Sequence, residues 1–431
     1  MDKLASNIKN VLAVIGLSVV TVVFVELVCR AAVFAYLGVF GEPHSSAAPI
    51  NSDERADLAA YDGVDYDARR LMQEVRASDP VDYEPYNIWL RRYFKGEYTN
   101  VDFEGRRATH FSSQSEDALE VWMFGGSTTW GVGAKDDETV PSLVAKLLNE
   151  DWGVETKVVN YGERGYVSTQ ELVYLIRELQ AGKRPDVVTF YDGVNDATAV
   201  AFWPEERGAH ALLDDIRERF QGGRSRSDQV RALVQSTGMY RAADLAGRIL
   251  HGPPDPGTAE PGVGDENYED RLEHADFDWL GNRALDVWAE NIRLVNALAA
   301  EYGFTPIFIF HPGLWEAGKP LHPSEQHVLE VQKRSVALTM IMTVRAKMAE
   351  LLEIRMAGSD VLASVHNLDG AFSSTTEPVY IDYTHISGNG NRIVAGPLRG
   401  IIVETVCRER PASLSETARA GLNAKCPVGP R

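Results

Sequence analysis

"VWMFGGSTTWG", residues Val121–Gly131, is an apolar run that stops at two glycines and then offers a serine and two threonines. Alone it reads as a strand entering a turn, because glycine and serine fill turns in any fold. Its surroundings give it more weight. "LEVWMFGG" has the length and apolarity of a short strand. Behind it Val140, Leu143, Val144, Leu147 and Leu148 recur at helical spacing, with Pro141 in the first turn.

The same alternation repeats along the chain. "TKVVNYG" gives a second strand, and the helix after it starts on a capping box of Ser168 and Glu171 and stops before Gly182. Its apolar stripe is Leu172, Leu175, Ile176 and Leu179. "DVVTFYDG" is a third strand, apolar enough for burial on both faces. Residues 197–280 break the rhythm. They hold a helix candidate, Ser227–Leu250, and "PPDPGTAEPGVGDENYED", whose composition is that of a disordered segment. The region reads as an insertion or lid. A long helix through "ALDVWAENIRLVNALAAEYG", the strand "TPIFIFHP", a helical pattern from Ser324 to about Ile354 and another from about Asn389 to Val406 complete the chain. Strands separated by long helices specify a parallel α/β sheet with helices on both faces.

Composition narrows the function. The 431 residues are 44% hydrophobic and 24% charged, those of a folded protein, and a formal charge of -19 argues against binding nucleic acid. Three cysteines with no CxxC pair exclude a disulfide scaffold and zinc-finger spacing. "GGSTTWGVG" lacks the Gly-Lys-Ser/Thr ending of a phosphate loop.

The N-terminus has another character. "VLAVIGLSVVTVVFVELV", Val11–Val28, carries one charge, Glu26, in 18 residues. As a helix it spans about 27 Å, close to a hydrocarbon core. Lys3 and Lys9 before it place the N-terminus in the cytoplasm by the positive-inside rule, with the remainder periplasmic or extracellular. A cleaved signal peptide would have a shorter apolar region, and this one continues through "AAVFAYLGVF". In an exported body Cys407 and Cys426 sit where disulfides persist; a bridge would tie the C-terminal tail to the last helix, with free thiols the alternative.

In parallel sheets reactive groups gather beyond the carboxyl ends of the strands. There the chain places Gly125-Gly126-Ser127, then "NYGERGYVS", then "DGVND", and near its end "DYTHISGNGN". Together these supply a hydroxyl nucleophile, a base, a carboxylate to orient it and donors for an oxyanion. The ordered set resembles the SGNH, or GDSL-type, hydrolases over about residues 117–406. "FGGSTTWG" stands for the serine block with Gly-Ser-Thr-Thr in place of Gly-Asp-Ser, "ERGYVSTQE" for the glycine block, "YDGVND" for the asparagine block and "IDYTHISGNGN" for the Asp-x-x-His block.

The resemblance implies a flavodoxin-like three-layer α/β/α sandwich with a parallel sheet of about five strands, here behind an N-terminal transmembrane helix. It implies Ser127 as nucleophile, His385 as base and Asp382 as its orienting acid, with Ser127, Gly165 and Asn195 forming the oxyanion hole. Asp196 is read as structural beside Asn195, while Asp382 as a helix cap and Asn195 as a turn residue are the plain alternatives. Trp130, Tyr191 and His311 are candidate pocket residues. No metal and no cofactor are expected. The segments are then a cytoplasmic N-terminus (1–10), a transmembrane helix (11–36), a linker and aromatic-rich arm (37–115), the hydrolase domain (116–406, with the 197–280 insertion) and a C-terminal tail (407–431). The expected activity is a serine esterase acting on an O-acylated glycan or a lipid ester. The alternatives are an O-acetyltransferase on a surface polysaccharide and a catalytically idle binding module.

Overall fold

The computed structural model describes residues 16–18, 20–34, 36, 54–220, 237–240, 242–243, 246, 268–314, 318–409, 411 and 414–426. It divides into two compact units, Met1–Ser52 with Leu212–Gly264 and Asp53–Ala211 with Asp265–Arg431. In the first, a helix over Gly16–Phe34 has 19 residues and a mean hydropathy of 2.2, long and apolar enough to cross a membrane. Its one acidic side chain, Glu26, accepts from Arg30 Nε at 2.7 Å and from the amides of Gly238 and Met239 at 2.6 and 3.2 Å. Residues 253–267, in the Pro/Gly/acidic segment, and most of the helix expected over Ser227–Leu250 lie outside the described residues.

The second unit begins with what the sequence suggested was linker and irregular arm. From Glu54 onward it is ordered structure: two 3-10 turns (Glu54–Asp57, Ala59–Tyr61), helix α1 (Ala68–Ala77) and two hairpins, β1 (Val81–Glu84) with β2 (Ile88–Arg91) and β3 (Phe94–Lys95) with β4 (Asn100–Val101). Asp67 caps α1 by accepting from the amides of Arg69 and Arg70. Ala56, Ala60, Tyr61, Leu71, Met72 and Val75 form a small core with Val101, Trp130, Val132 and Ile381. The aromatic-rich stretch was expected to pack on the main domain as an irregular arm; the hairpins and 3-10 turns are too short to carry a period, whereas Leu71, Met72 and Val75 of α1 do fall at helical spacing.

The central sheet follows: β5 (Leu119–Gly125), β6 (Thr156–Gly162), β7 (Val187–Asp192), β8 (Thr305–Phe310) and β9 (Val365–Asn367), all parallel, in the order β6-β5-β7-β8-β9. Numbered within the sheet this is 2-1-3-4-5, the flavodoxin-like order, whose strand sequence reverses between β5 and β7. β7 is buried at every residue, as its composition requires. Gly125 lies opposite both Gly162 and Tyr191, so three strands end level and release their loops at one edge.

The helices include α2 (Ser127–Trp130), α3 (Val140–Leu147), α4 (Ser168–Gln180), α5 (Val194–Phe202), α6 (Phe277–Tyr302), α7 (Pro323–Gln332), α8 (Val336–Met356), α9 (Gly388–Glu409) and α10 (Glu416–Lys425). The single helix expected from Ser324 to Ile354 is thus two. Ser335 breaks it by capping α8 through its hydroxyl, which accepts from the Leu338 amide. The short strand β9 escaped the sequence reading. Cys407 and Cys426 are joined in a disulfide that ties α10 to the end of α9.

Candidate active site

Ser127 is the first residue of α2, where β5 turns out of the sheet. On the far side of the switch point the segment after Tyr380 closes a tight loop: Tyr380 and Ile386 pair as an isolated bridge, and the Ile381 amide donates to His385 O at 2.9 Å. That loop turns Asp382 and His385 towards Ser127. With its proton on Nδ1, His385 donates to Asp382 Oδ2 at 2.7 Å and leaves Nε2 to accept from Ser127 Oγ at 2.7 Å.

Asp382 is held from four directions. Oδ1 accepts from the Thr384 and His385 amides at 3.0 and 2.7 Å. Oδ2, besides His385, accepts from Arg55 Nη1 at 2.8 Å. Burial alone would raise its carboxyl, but the adjacent His385 ring, its hydrogen bonds and the Arg55 guanidinium hold it far below the ordinary range.

The glycine and asparagine blocks close the other side. Gly165 has φ +81°, a left-handed conformation that costs a side-chain-bearing residue energy, so the chain needs glycine there to turn its amide. Trp89 packs beside it, its ring carbon Cζ2 3.6 Å from where a Cβ would stand, and donates from Nε1 to Arg164 O. Asn195 Nδ2 donates to Tyr166 O at 2.7 Å and lies against Gly126, the residue before the nucleophile. The amide of Ser127 opens α2, a position whose N–H has no partner within a helix.

Behind these loops runs a buried polar network. Asp196 accepts from Ser168 Oγ at 2.6 Å and from the Ser168 amide, and Asn291 Nδ2 donates to Ser168 Oγ at 2.8 Å. The capping box expected from Ser168 and Glu171 is therefore not formed. Val167 is the N-cap residue, and the cap is supplied in trans by Asp196 from α5. Asp196 has the structural place the sequence suggested. Glu171 is wholly buried, with Asp192 as its carboxyl neighbour, and Asp192 accepts from Trp288 Nε1 at 3.1 Å.

The three candidate pocket residues are all buried. Trp130 is fully buried under the Arg107 guanidinium, 4.3 Å from its ring centre. Tyr191 is buried on β7. His311 is buried too: its Nε2 accepts from the Val194 amide at 3.3 Å, and its Nδ1 lies 2.8 Å from Pro312 O. Burial and nearby Arg345 push its ring down to about 3, so it is a neutral structural imidazole. In their place the structure brings Arg55 and Trp89 to the site, both from the segment taken for linker and arm. Trp89 lay in the aromatic-rich stretch that drew notice, whereas Arg55 carried no sequence signal. Among the described residues no group of three or more His, Cys, Asp and Glu side chains could hold a metal ion.

Residues 123–326 match the family model described as the GDSL-like Lipase/Acylhydrolase family, a span that includes Ser127, Gly165 and Asn195 and stops before Asp382. Among solved structures, LAE5, an alpha/beta hydrolase enzyme from the metagenome of Lake Arreo, Spain, is 12% identical, with 68% of this chain and 95% of that chain covered at a TM-score of 0.32. The lipase/acylhydrolase from Enterococcus faecalis is 15% identical, covering 66% and 94% at 0.32. Axe2, an acetylxylan esterase from Geobacillus stearothermophilus, is 13% identical, covering 66% and 94% at 0.30. No curated protein matches the chain.

Proposed function

We propose that the chain is a serine esterase working through Ser127, His385 and Asp382, a reading supported by the match of residues 123–326 to the GDSL-like Lipase/Acylhydrolase family. The observation that carries this reading is the unbroken pair of 2.7 Å contacts from Ser127 Oγ to His385 Nε2 and from His385 Nδ1 to Asp382 Oδ2. Ser127 Oγ attacks the ester carbonyl carbon while His385 Nε2 takes its proton. The oxyanion is held by the Ser127 and Gly165 amides and by the Asn195 side chain. The C–O bond then breaks, the leaving alcohol receives the proton from His385, and an acyl-serine remains. Water, deprotonated by His385, attacks that acyl carbon; the bond from the acyl carbon to Ser127 Oγ then breaks, His385 returns the proton to Oγ, and the acid leaves. Asp382 holds the ring tautomer and stabilises the imidazolium throughout.

The substrate class follows from where the site would stand. The apolar helix Gly16–Phe34 supports a membrane anchor, and Lys3 and Lys9 support an N-terminus in the cytoplasm. The Cys407–Cys426 disulfide supports an oxidising compartment for the body of the chain, the periplasm or the exterior. Esters met there are O-acyl groups on glycans and lipid esters.

The test is hydrolysis of p-nitrophenyl acetate and of acetylated glycans by the full chain in detergent micelles. Ser127→Ala should lower kcat by about 10⁴-fold or more, and fluorophosphonate labelling should require both Ser127 and His385. A wild-type chain as inert as Ser127→Ala towards both substrates and probe would overturn the proposal.

A further inference from the structure

We infer that Arg55 is a positioning residue of this site, acting through Asp382 by holding a permanent positive charge on the oxygen that also accepts from His385. The inference rests on the Ser127–His385–Asp382 reading above. Three observations carry it. First, Asp382 Oδ2 is shared: Arg55 Nη1 lies at 2.8 Å and His385 Nδ1 at 2.7 Å. Second, the carboxylate does not depend on Arg55 for its direction, because Oδ1 is already fixed by the amides of Thr384 and His385. What Arg55 adds is therefore mainly charge. Third, the backbone that presents Arg55 is pinned. Ala56, Ala60 and Tyr61 are buried in a core that includes Ile381, next to Asp382, and Tyr61 Oη donates to Gly133 O at 2.7 Å.

The side chains of the pair are 30% and 11% exposed, so solvent screens this contact less than a surface ion pair. The consequence concerns the base. When His385 takes the proton of Ser127, the new imidazolium faces Asp382, but it also faces the guanidinium beyond. Arg55 thereby opposes the positive charge that the ring acquires when it takes the proton. The other charged groups around the site are already engaged. Arg164, close enough to feel Arg55, is paired with Asp79, and Glu163 accepts from Arg91 and from the Arg164 amide. His311, near His385, is held neutral. Arg55 is thus the cation that bears on Asp382 directly.

The test is the pH profile of kcat/KM for p-nitrophenyl acetate on the full chain in detergent, comparing wild type with Arg55→Met, Arg55→Gln and Arg55→Lys. Loss of a charge one residue removed from the ring should move the acid limb of the profile up by about one pH unit in the Met and Gln variants. The plateau should fall by less than tenfold, and Lys should restore the wild-type limb. Two neutral variants are used so that poor folding of one does not decide the result. An unmoved limb in a folded neutral variant, with or without a lower plateau, overturns the inference. Ser127→Ala separates the two levels: if it is inactive and the limb is unmoved, only the role of Arg55 falls, whereas an active Ser127→Ala removes the reading beneath it as well.

Discussion

Asn195 Nδ2 lies 2.3 Å from the point where a Cβ on Gly126 would stand, so the glycine before the nucleophile is the space that the amide fills. One N–H of that amide is spent on Tyr166 O, which fixes its plane, and in the proposed mechanism the other serves the oxyanion. Gly126→Ala should expel the amide and lower kcat by about 10²–10³-fold with little change in KM, the cost of one oxyanion donor. Asn195→Ala should do the same. Both substitutions strike one interaction, so the double variant should be little worse than either single. If the two effects multiply, the steric link between these residues is wrong.

The carboxyls behind the glycine block set a pH dependence of stability. Burial raises Glu171, and the neighbouring Asp192 and Asp196 raise it further. Burial also raises Asp192 and Asp196. A carboxyl raised on folding holds more protons in the native state than in the unfolded chain. Its stabilisation is therefore present at acid pH and lost as pH climbs above about 4 through the folded value. Glu171→Gln keeps the shape of the protonated acid without its titration. Between pH 5 and pH 8 this variant should gain on wild type by more than about 1 kcal/mol in urea denaturation. Parallel stability curves would show that Glu171 does not titrate in this window.

How much of this was legible in the sequence depends on element length. The strands β5 to β8 stood out because each is a bounded apolar run followed by glycine or a polar turn; the loops after β5, β6 and β7 carry Ser127, Gly165 and Asn195, while Asp382 and His385 follow the short strand β9, which has no such run. Ser127, His385 and Asp382 could be named because each lies in a local string. Arg55 could not, because it meets Asp382 across 327 positions from a four-residue 3-10 turn. Ser168 and Glu171 had the right spacing for a capping box, and tertiary structure overrode it: Asp196 reached the orphan amide first. Trp130, Tyr191 and His311 are near the site in sequence, but a position at or just after a strand end says nothing about which way a side chain turns.

Arg107 offers a test of the arm as part of the folded unit. Its guanidinium is wholly buried and paired with Asp136 at 2.9 Å, and it donates to the carbonyls of Gly131 and Ala134 at 2.6 Å each. These groups lie in the loop that leaves α2, so the arm fixes the chain just beyond Ser127. Arg107→Met leaves Asp136 buried beside a neutral side chain and should cost about 3–5 kcal/mol. Asp136→Asn should cost less, because the asparagine amide oxygen still accepts. Denaturation of both variants decides it, and equal, small losses would mean that the pair is not desolvated.

The disulfide at the other end of α9 should act on stability and leave the chemistry nearly untouched. It closes a loop of 19 positions between Cys407 and Cys426, which in the chain-entropy account is worth about 3 kcal/mol. α9 starts at Gly388, three residues after His385, and that end is secured separately: Asn391 Nδ2 donates to Glu138 O at 2.9 Å, and Ser387 N donates to Val379 O at 2.8 Å. The bridge lies at the opposite end, about 28 Å away along the helix axis. Replacing both cysteines by alanine should therefore lower the melting temperature by several degrees while kcat/KM well below it stays within about twofold of wild type. The double variant is cleaner than added thiol, since Cys29 in the apolar helix carries a free sulfhydryl that exchange could recruit. A fall in kcat/KM at temperatures where the variant is folded would mean that the helix transmits strain along its length to His385.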